Sequence, residues 1–222
     1  MARKRLLGKG TQCYRGYRVN SAYVLNEDWL SGLIDVTNEA IDSHGTALAV
    51  RLDFSLKKGV QDQDIGRCNP DMNRCFQDFL DRLKHVVFDI DLYWKLEFSE
   101  AKGFHIHSVF LFDAIDVKTF TTRNKLFEDL KRRWALQTDG NGTINICKSS
   151  EALSDDDFGV DSVHSYTLLG DLTNVEKNRS YHLQKNKFDK KAGFIHWISY
   201  LAKTEQSIGK GKAAGKRQYR GE

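Results

Sequence analysis

The middle of the chain alternates with a period of two. From Thr46 to Leu56, the residues Leu48, Val50, Leu52, Phe54 and Leu56 point one way, and Ala49, Arg51, Asp53 and Ser55 the other. That is the pattern of a strand with one apolar face. Leu92 to Phe98 repeats it, with Leu92, Trp94, Leu96 and Phe98 set against Tyr93, Lys95 and Glu97. Gly103 marks a turn, and Phe104 to Phe112 returns as a third strand. Elsewhere the period becomes helical. Asn69-Pro70 predicts a helix start, with asparagine as cap and proline in the first turn. Met72, Cys75, Phe76, Phe79, Leu80, Leu83, Val86 and Val87 then form one apolar stripe. A second helix is expected at roughly 120 to 136, facing inward with Leu126, Phe127, Leu130 and Trp134. Short strands are expected at Thr143 to Cys147 and Ser165 to Leu169, and a last helix from Asp189, its cap, to about Gln206.

This order predicts an α+β fold: an antiparallel β-sheet with helices packed on one face. The other face alternates polar, so it is expected to stay open and to carry a site. Residues 46–206 form that domain. An N-terminal segment, 1–45, packs on its core, and 207–222 forms a basic flexible tail, being glycine-rich, cationic and without apolar surface to bury.

Composition narrows the class. Of 222 residues, 40% are hydrophobic and 29% charged, enough for a sizeable core. No stretch of about 18 apolar residues exists to span a membrane, and no apolar signal core follows the basic start. A cytoplasmic protein with no membrane partner is expected. The four cysteines show no paired zinc spacing and read as reduced thiols. The net charge of +4 permits nucleic-acid binding without requiring it. Its distribution says more: both ends are basic, and an acidic patch runs from Glu151 to Asp161.

The candidate chemistry begins at His105-Ile106-His107. Residues i and i+2 of a strand share a face about 7 Å apart, which suits two imidazoles converging on one ion. If the hairpin closes with three residues, Glu100 to Lys102, Glu97 lies directly across from His105 on that face. Two imidazoles and a carboxylate suit Mg²⁺ or Mn²⁺ in phosphate chemistry, and could also hold Zn²⁺. Glu97 could instead pair with Lys95 or Arg51. On the last helix, His196, Tyr200, Lys203 and Ser207 fall at i, i+4, i+7 and i+11, one polar stripe. A phenol with pKa near 10 is a poor nucleophile unless a cation stabilises its anion, and Lys203 is placed to do so. Tyr181 is the rival tyrosine.

The run Arg51-Leu-Asp-Phe, Trp94-Lys-Leu-Glu97, His105-Ile-His107 and Tyr200-Leu-Ala-Lys203 resembles the HUH endonuclease superfamily of replication initiators, relaxases and transposases. Within it, the run is most similar to filamentous-phage replication proteins and the YagK/YfjJ-type prophage domain. The resemblance implies an RRM-like or palm-like catalytic fold, metal ligation by His105 and His107 with Glu97 as third ligand, and a 5′-phosphate link on Tyr200 assisted by Lys203. It further implies a single-stranded or melted DNA origin as substrate, a host helicase and polymerase as partners, and a bacterial host cell. Threonine at 204 departs from the two-tyrosine signature of some members. Arg51, Lys95 and His196 are the residues expected to line the strand's path. A non-catalytic single-strand binder or repressor on the same sandwich is the alternative, and a metal-dependent hydrolase using water a third reading.

Overall fold

The computed structural model describes residues 5–56, 65–83, 89–99, 103–119, 124–147, 180–205 and 214–219. The expected strand at 165–169 and the acidic patch at 151–161 lie outside them.

Four short strands open the chain: β1 (Leu6–Leu7), β2 (Cys13–Tyr14), β3 (Tyr17–Arg18) and β4 (Leu25–Asn26). β1 pairs with β4, and β2 with β3. Arg15 and Gly16 turn that hairpin with φ of 49° and 82°. Positive φ at both central residues is what a tight two-residue turn demands, and Gly16 supplies it without steric cost. Helix α1 (Glu27–His44) follows, its first turn capped by the Asn26 side chain accepting from the Trp29 N–H.

The main sheet is antiparallel. It contains β5 (Thr46–Leu56), β6 (Ile90–Ser99), β7 (Gly103–Asp113), β8 (Gly142–Ile146), β9 (Ser180–Gln184) and β10 (Ala214–Tyr219). Its order is β10-β6-β7-β5, after which β5 lends its outer edge to β8 along Leu52 to Leu56 and to β9 along Thr46 to Val50. The helices are α2 (Ile65–Leu83), α3 (Ala114–Thr119), α4 (Asn124–Gln137) and α5 (Phe188–Ser199). A 3-10 turn, Tyr200–Ala202, continues α5.

Alternation along the strands divides the interior into two cores. Leu48, Val50, Leu52, Phe54, Leu92, Trp94, Leu96, Ile106, Phe110 and Phe112 pack under α2 and α4, as the pattern predicts. Phe54 sits at the centre of this layer, its ring within 5.3 Å of Phe76, Phe79 and Trp134 centroids. The opposite face departs from expectation. It is not open along its length: α1 and α5 cover it with Leu30, Leu33, Ile34, Ile41, Phe194, Ile195 and Ile198 over Ala47, Ala49, Tyr93, Val109 and Leu111. Small residues on β5 and Gly32 on α1 make this approach possible; a Cβ at Gly32 would stand 3.3 Å from the Tyr93 ring. A side of β5 built from Ala47, Ala49, Arg51 and Asp53 reads polar in sequence because alanine gives no strong apolar signal.

Other boundaries also moved. α2 begins at Ile65, four residues before the expected cap at Asn69. A proline early in a helix costs one backbone bond and keeps helical φ, so it need not mark the first turn. The expected helix at 120–136 is α4, starting at Asn124, with Leu126, Phe127, Leu130 and Trp134 inward, and the short α3 before it was not foreseen. α5 starts from Lys187 rather than Asp189, which lies in its first turn, and stops at Ser199, not Gln206. The tail expected to be mobile contributes a strand: residues 214–219 pair with β6, from Ala214 opposite Lys95 to Tyr219 opposite Ile90. Residues 90–97 of β6 are all buried, so their backbone donors and acceptors require a partner on that edge. Edge demand outweighs the tail's composition.

Candidate metal centre

Register creates the site. The β6–β7 hairpin leaves three residues between Ser99 and Gly103, the spacing that sets Glu97 opposite His105 and Lys95 opposite His107. β5 extends both rungs, placing Asp53 opposite His107 and Ser55 opposite His105. One sheet face therefore carries Lys95, His107 and Asp53 in one row, and Glu97, His105 and Ser55 in the next.

Glu97, His105 and His107 converge: one ligand atom from each lies within 4.8 Å of the others. Glu97 Oε2 stands 3.3 Å from His107 Nε2 and 3.8 Å from His105 Nε2. The far nitrogen of each ring is already engaged. His105 Nδ1 lies 2.9 Å from the Gly103 carbonyl, which can only accept, so Nδ1 carries the proton. His107 Nδ1 lies 2.6 Å from Asp53 Oδ1. Burial pushes the Asp53 carboxyl up, but the His107 hydrogen bond and charge prevail and hold it below its usual range. Asp53 is therefore an ionised acceptor that fixes the His107 tautomer, the supporting partner found behind metal-bound histidines. Sequence reasoning left Asp53 unassigned; its alternation with Arg51 on the site face was the available signal.

Protonation follows from burial. His105 is pushed below the ordinary imidazole range, by desolvation first and the neighbouring His107 after it, against the raising effect of Gly103. It is neutral near pH 7. Burial would raise Glu97, but His107 and Lys95 outweigh it and bring its carboxyl down to about 2. The Nε2 atoms of both imidazoles and a carboxylate oxygen thus face one small volume. Glu97 Oε2 is buried and accepts no hydrogen bond. Buried acceptors converging in this way are costly unless cations join them, and the Lys203 ammonium, 3.3 Å from Glu97 Oε2, supplies part of that charge. The donor set fits a divalent ion and leaves coordination positions open.

The remaining expected residues meet around this group. Tyr200 lies on the 3-10 turn and not on a continuing α-helix, so the helical spacing from His196 to Lys203 is broken, and Ser207 lies outside the described residues. The turn still brings Lys203 back, and its Nζ donates to the Tyr200 hydroxyl. The same ammonium is 3.3 Å from Glu97 Oε2. The Tyr200 ring stands edge-on to His107, centroids 6.0 Å apart, and to Tyr23 at 5.4 Å. Arg51 places its guanidinium 5.0 Å from the Tyr200 centroid and 5.7 Å from that of Trp197.

One assignment changes. Lys95 is 0% exposed, its Nζ donating to Glu97 Oε1 at 2.6 Å and to the Lys203 carbonyl at 2.5 Å. It cannot line the path of a strand. A lysine alternating with tyrosine and glutamate reads as solvent-facing, and only the covering α1 and 3-10 turn bury it. The pairing of Glu97 with Lys95, foreseen as an alternative to metal ligation, uses Oε1 and leaves Oε2 facing the two histidines. Burial pulls the Lys95 ammonium below its usual range, against the attraction of Glu97. His196 is half-buried on α5, one turn before Tyr200. Tyr181, the rival, packs on β9 against Phe194 and Trp197, with centroids 5.2 and 5.6 Å away.

No family model matches the chain, and neither a curated protein nor a solved structure does. Among the described residues, no helix is long and apolar enough to cross a membrane.

Proposed function

We propose that the chain is a metal-dependent single-strand DNA endonuclease and strand transferase, which nicks an origin through a 5′-phosphotyrosine on Tyr200. One observation carries this reading: the Lys203 ammonium donates to the Tyr200 hydroxyl and forms an ion pair with Glu97 Oε2, so one cation joins the candidate nucleophile to the candidate metal-ligand group. The resemblance to HUH replication initiators supplies the same roles. Glu97, His105 and His107 would hold Mg²⁺ or Mn²⁺, whose contribution is to polarise a phosphodiester oxygen and neutralise its developing charge.

The chain's own residues do the rest. The Lys203 ammonium donates to the phenolic oxygen and stabilises its anion as the phenolic proton passes to water. The Tyr200 oxygen then bonds to phosphorus while the bond to the 3′-oxygen breaks, and that oxygen takes up a proton and departs as a free 3′-hydroxyl. Phosphodiester is exchanged for phosphodiester, so a 3′-hydroxyl can attack the adduct and rejoin a strand. Arg51, over the Tyr200 ring, is positioned for the substrate phosphate. The half-buried rings of Tyr23 and Trp29 offer stacking faces for unpaired bases.

The test is direct. The protein incubated with a single-stranded origin-like oligonucleotide pool and Mn²⁺ should yield a denaturant-resistant covalent complex, absent with chelator. A non-catalytic binder would retain the DNA and form no adduct.

A further inference from the structure

Lys95 makes three contacts that no solvent lysine makes. Its Nζ donates 2.6 Å to Glu97 Oε1 and 2.5 Å to the carbonyl of Lys203, and it lies 5.0 Å from the centroid of Trp29. Two acceptors and a π-face use its three N–H directions, and both Lys95 and Glu97 side chains are 0% exposed. The carboxylate is thereby divided. Oε1 belongs to the Lys95 ammonium, while Oε2 faces His105, His107 and, at 3.3 Å, the Lys203 ammonium.

We propose that Lys95 is a positioning residue that holds Glu97 as a one-oxygen ligand and ties the metal group to the turn carrying Tyr200. The inference rests on the metal-dependent reading above. With Oε1 occupied, Glu97 can offer an ion only Oε2, which leaves a coordination position for a substrate phosphate oxygen. The ammonium beside the ligand also opposes a divalent ion, so the site binds metal less tightly than its donors alone would allow. The second arm works through backbone. Lys203 N–H donates to the Tyr200 carbonyl, and the Lys203 carbonyl accepts from Lys95, so the turn is fixed at both ends relative to Glu97.

The experiment uses the full chain with Lys95→Met, which keeps the aliphatic stem and removes the ammonium. Mn²⁺ alone is titrated by calorimetry, and thermal midpoints are recorded with and without it. The inference expects Mn²⁺ to bind at least about tenfold more tightly to the variant, because a buried like charge has gone. It also expects a larger Mn²⁺-induced rise in midpoint than for the parent chain. Unchanged or weaker Mn²⁺ binding overturns it. Should the variant fail to fold, a Mn²⁺-soaked structure of the parent chain decides: one Glu97 oxygen on the ion with Oε1 still on Lys95 supports the inference, and both oxygens on the ion sink it. These readouts need no DNA. A parent chain that binds Mn²⁺ and forms no tyrosyl adduct refutes the nicking reading alone, and one that binds no Mn²⁺ refutes both.

Discussion

The Tyr200 hydroxyl accepts a hydrogen bond from Lys203 Nζ across one tight turn, so the phenol meets an ammonium before any substrate arrives. Replacing Tyr200 with phenylalanine removes the oxygen and keeps the ring between His107, Tyr23 and Arg51. Covalent adduct and cleavage should fall by at least about a thousandfold, with Mn²⁺ binding and thermal midpoint nearly unchanged. Mass spectrometry of the parent adduct should place the nucleotide on Tyr200. Adduct on Tyr181, or undiminished cleavage by the phenylalanine variant, would end the tyrosine assignment.

His105→Ala should separate the roles. It removes one of three converging ligand atoms, so Mn²⁺ binding and adduct formation should be lost together. Retained activity at ordinary Mn²⁺ concentration would show that the ion sits elsewhere.

Asp53 is predicted to act at one remove. Asp53→Asn leaves a hydrogen bond to His107 available but no longer demands a proton on Nδ1. Metal affinity should drop by about 10- to 100-fold, the usual cost of disturbing such a partner, with the fold intact. Calorimetry against the parent chain reads this directly; equal affinities would make Asp53 a bystander.

Acid should expose the Glu97 charge. Its folded carboxyl titrates at about 2, below the ordinary value of 4.5, so ionised Glu97 stabilises the fold above the ordinary value and that contribution is lost as pH falls through about 2. Glu97→Gln leaves the Lys95 and Lys203 ammonium groups beside a neutral partner and should cost about 3 to 5 kcal/mol at pH 7. Urea midpoints measured from pH 6 to pH 2 should converge for the two proteins at the acid end. Parallel curves throughout would remove Glu97 from the account.

Much of this site was legible in the chain because strand geometry is arithmetic. A period of two sorted Leu92, Trp94 and Leu96 from Tyr93, Lys95 and Glu97, and a three-residue hairpin placed Glu97 opposite His105. What escaped depended on elements far away in sequence. Nothing near Lys95 tells that α1 and the Tyr200 turn will bury it, and nothing near Ala47 or Ala49 says that helices will lie on them. The end of α5 escaped for a related reason. Lys203 enters an isolated bridge with Leu25, and the Thr204 N–H donates to the Val24 carbonyl. A partner from the N-terminal segment thus stops a helix whose local sequence would continue it. The edge strand at 214–219 was invisible to composition because its cause is the unmet hydrogen bonding of β6.

That edge strand carries a prediction of its own. Deleting residues 209–222 strips hydrogen-bond partners from buried β6 beside Lys95, so the thermal midpoint should fall by several degrees. Removing basic residues should also weaken single-strand binding most at low salt. A truncated chain with the parent's midpoint would mean that the pairing contributes nothing to stability.

β5 is long enough to serve two neighbours in turn, and the changeover falls at Arg51: Ile146 pairs at Leu52, Ser180 at Val50, and the Cys147 N–H donates to the Arg51 carbonyl. The chain thus departs from the sheet and rejoins it at adjoining rungs of one ladder. Both anchors are set by β5 rather than by what connects them, and closure entropy rises only with the logarithm of length. Because Arg51 lies against Tyr200, any shift of that junction along β5 would carry the guanidinium away from the phenol ring as well.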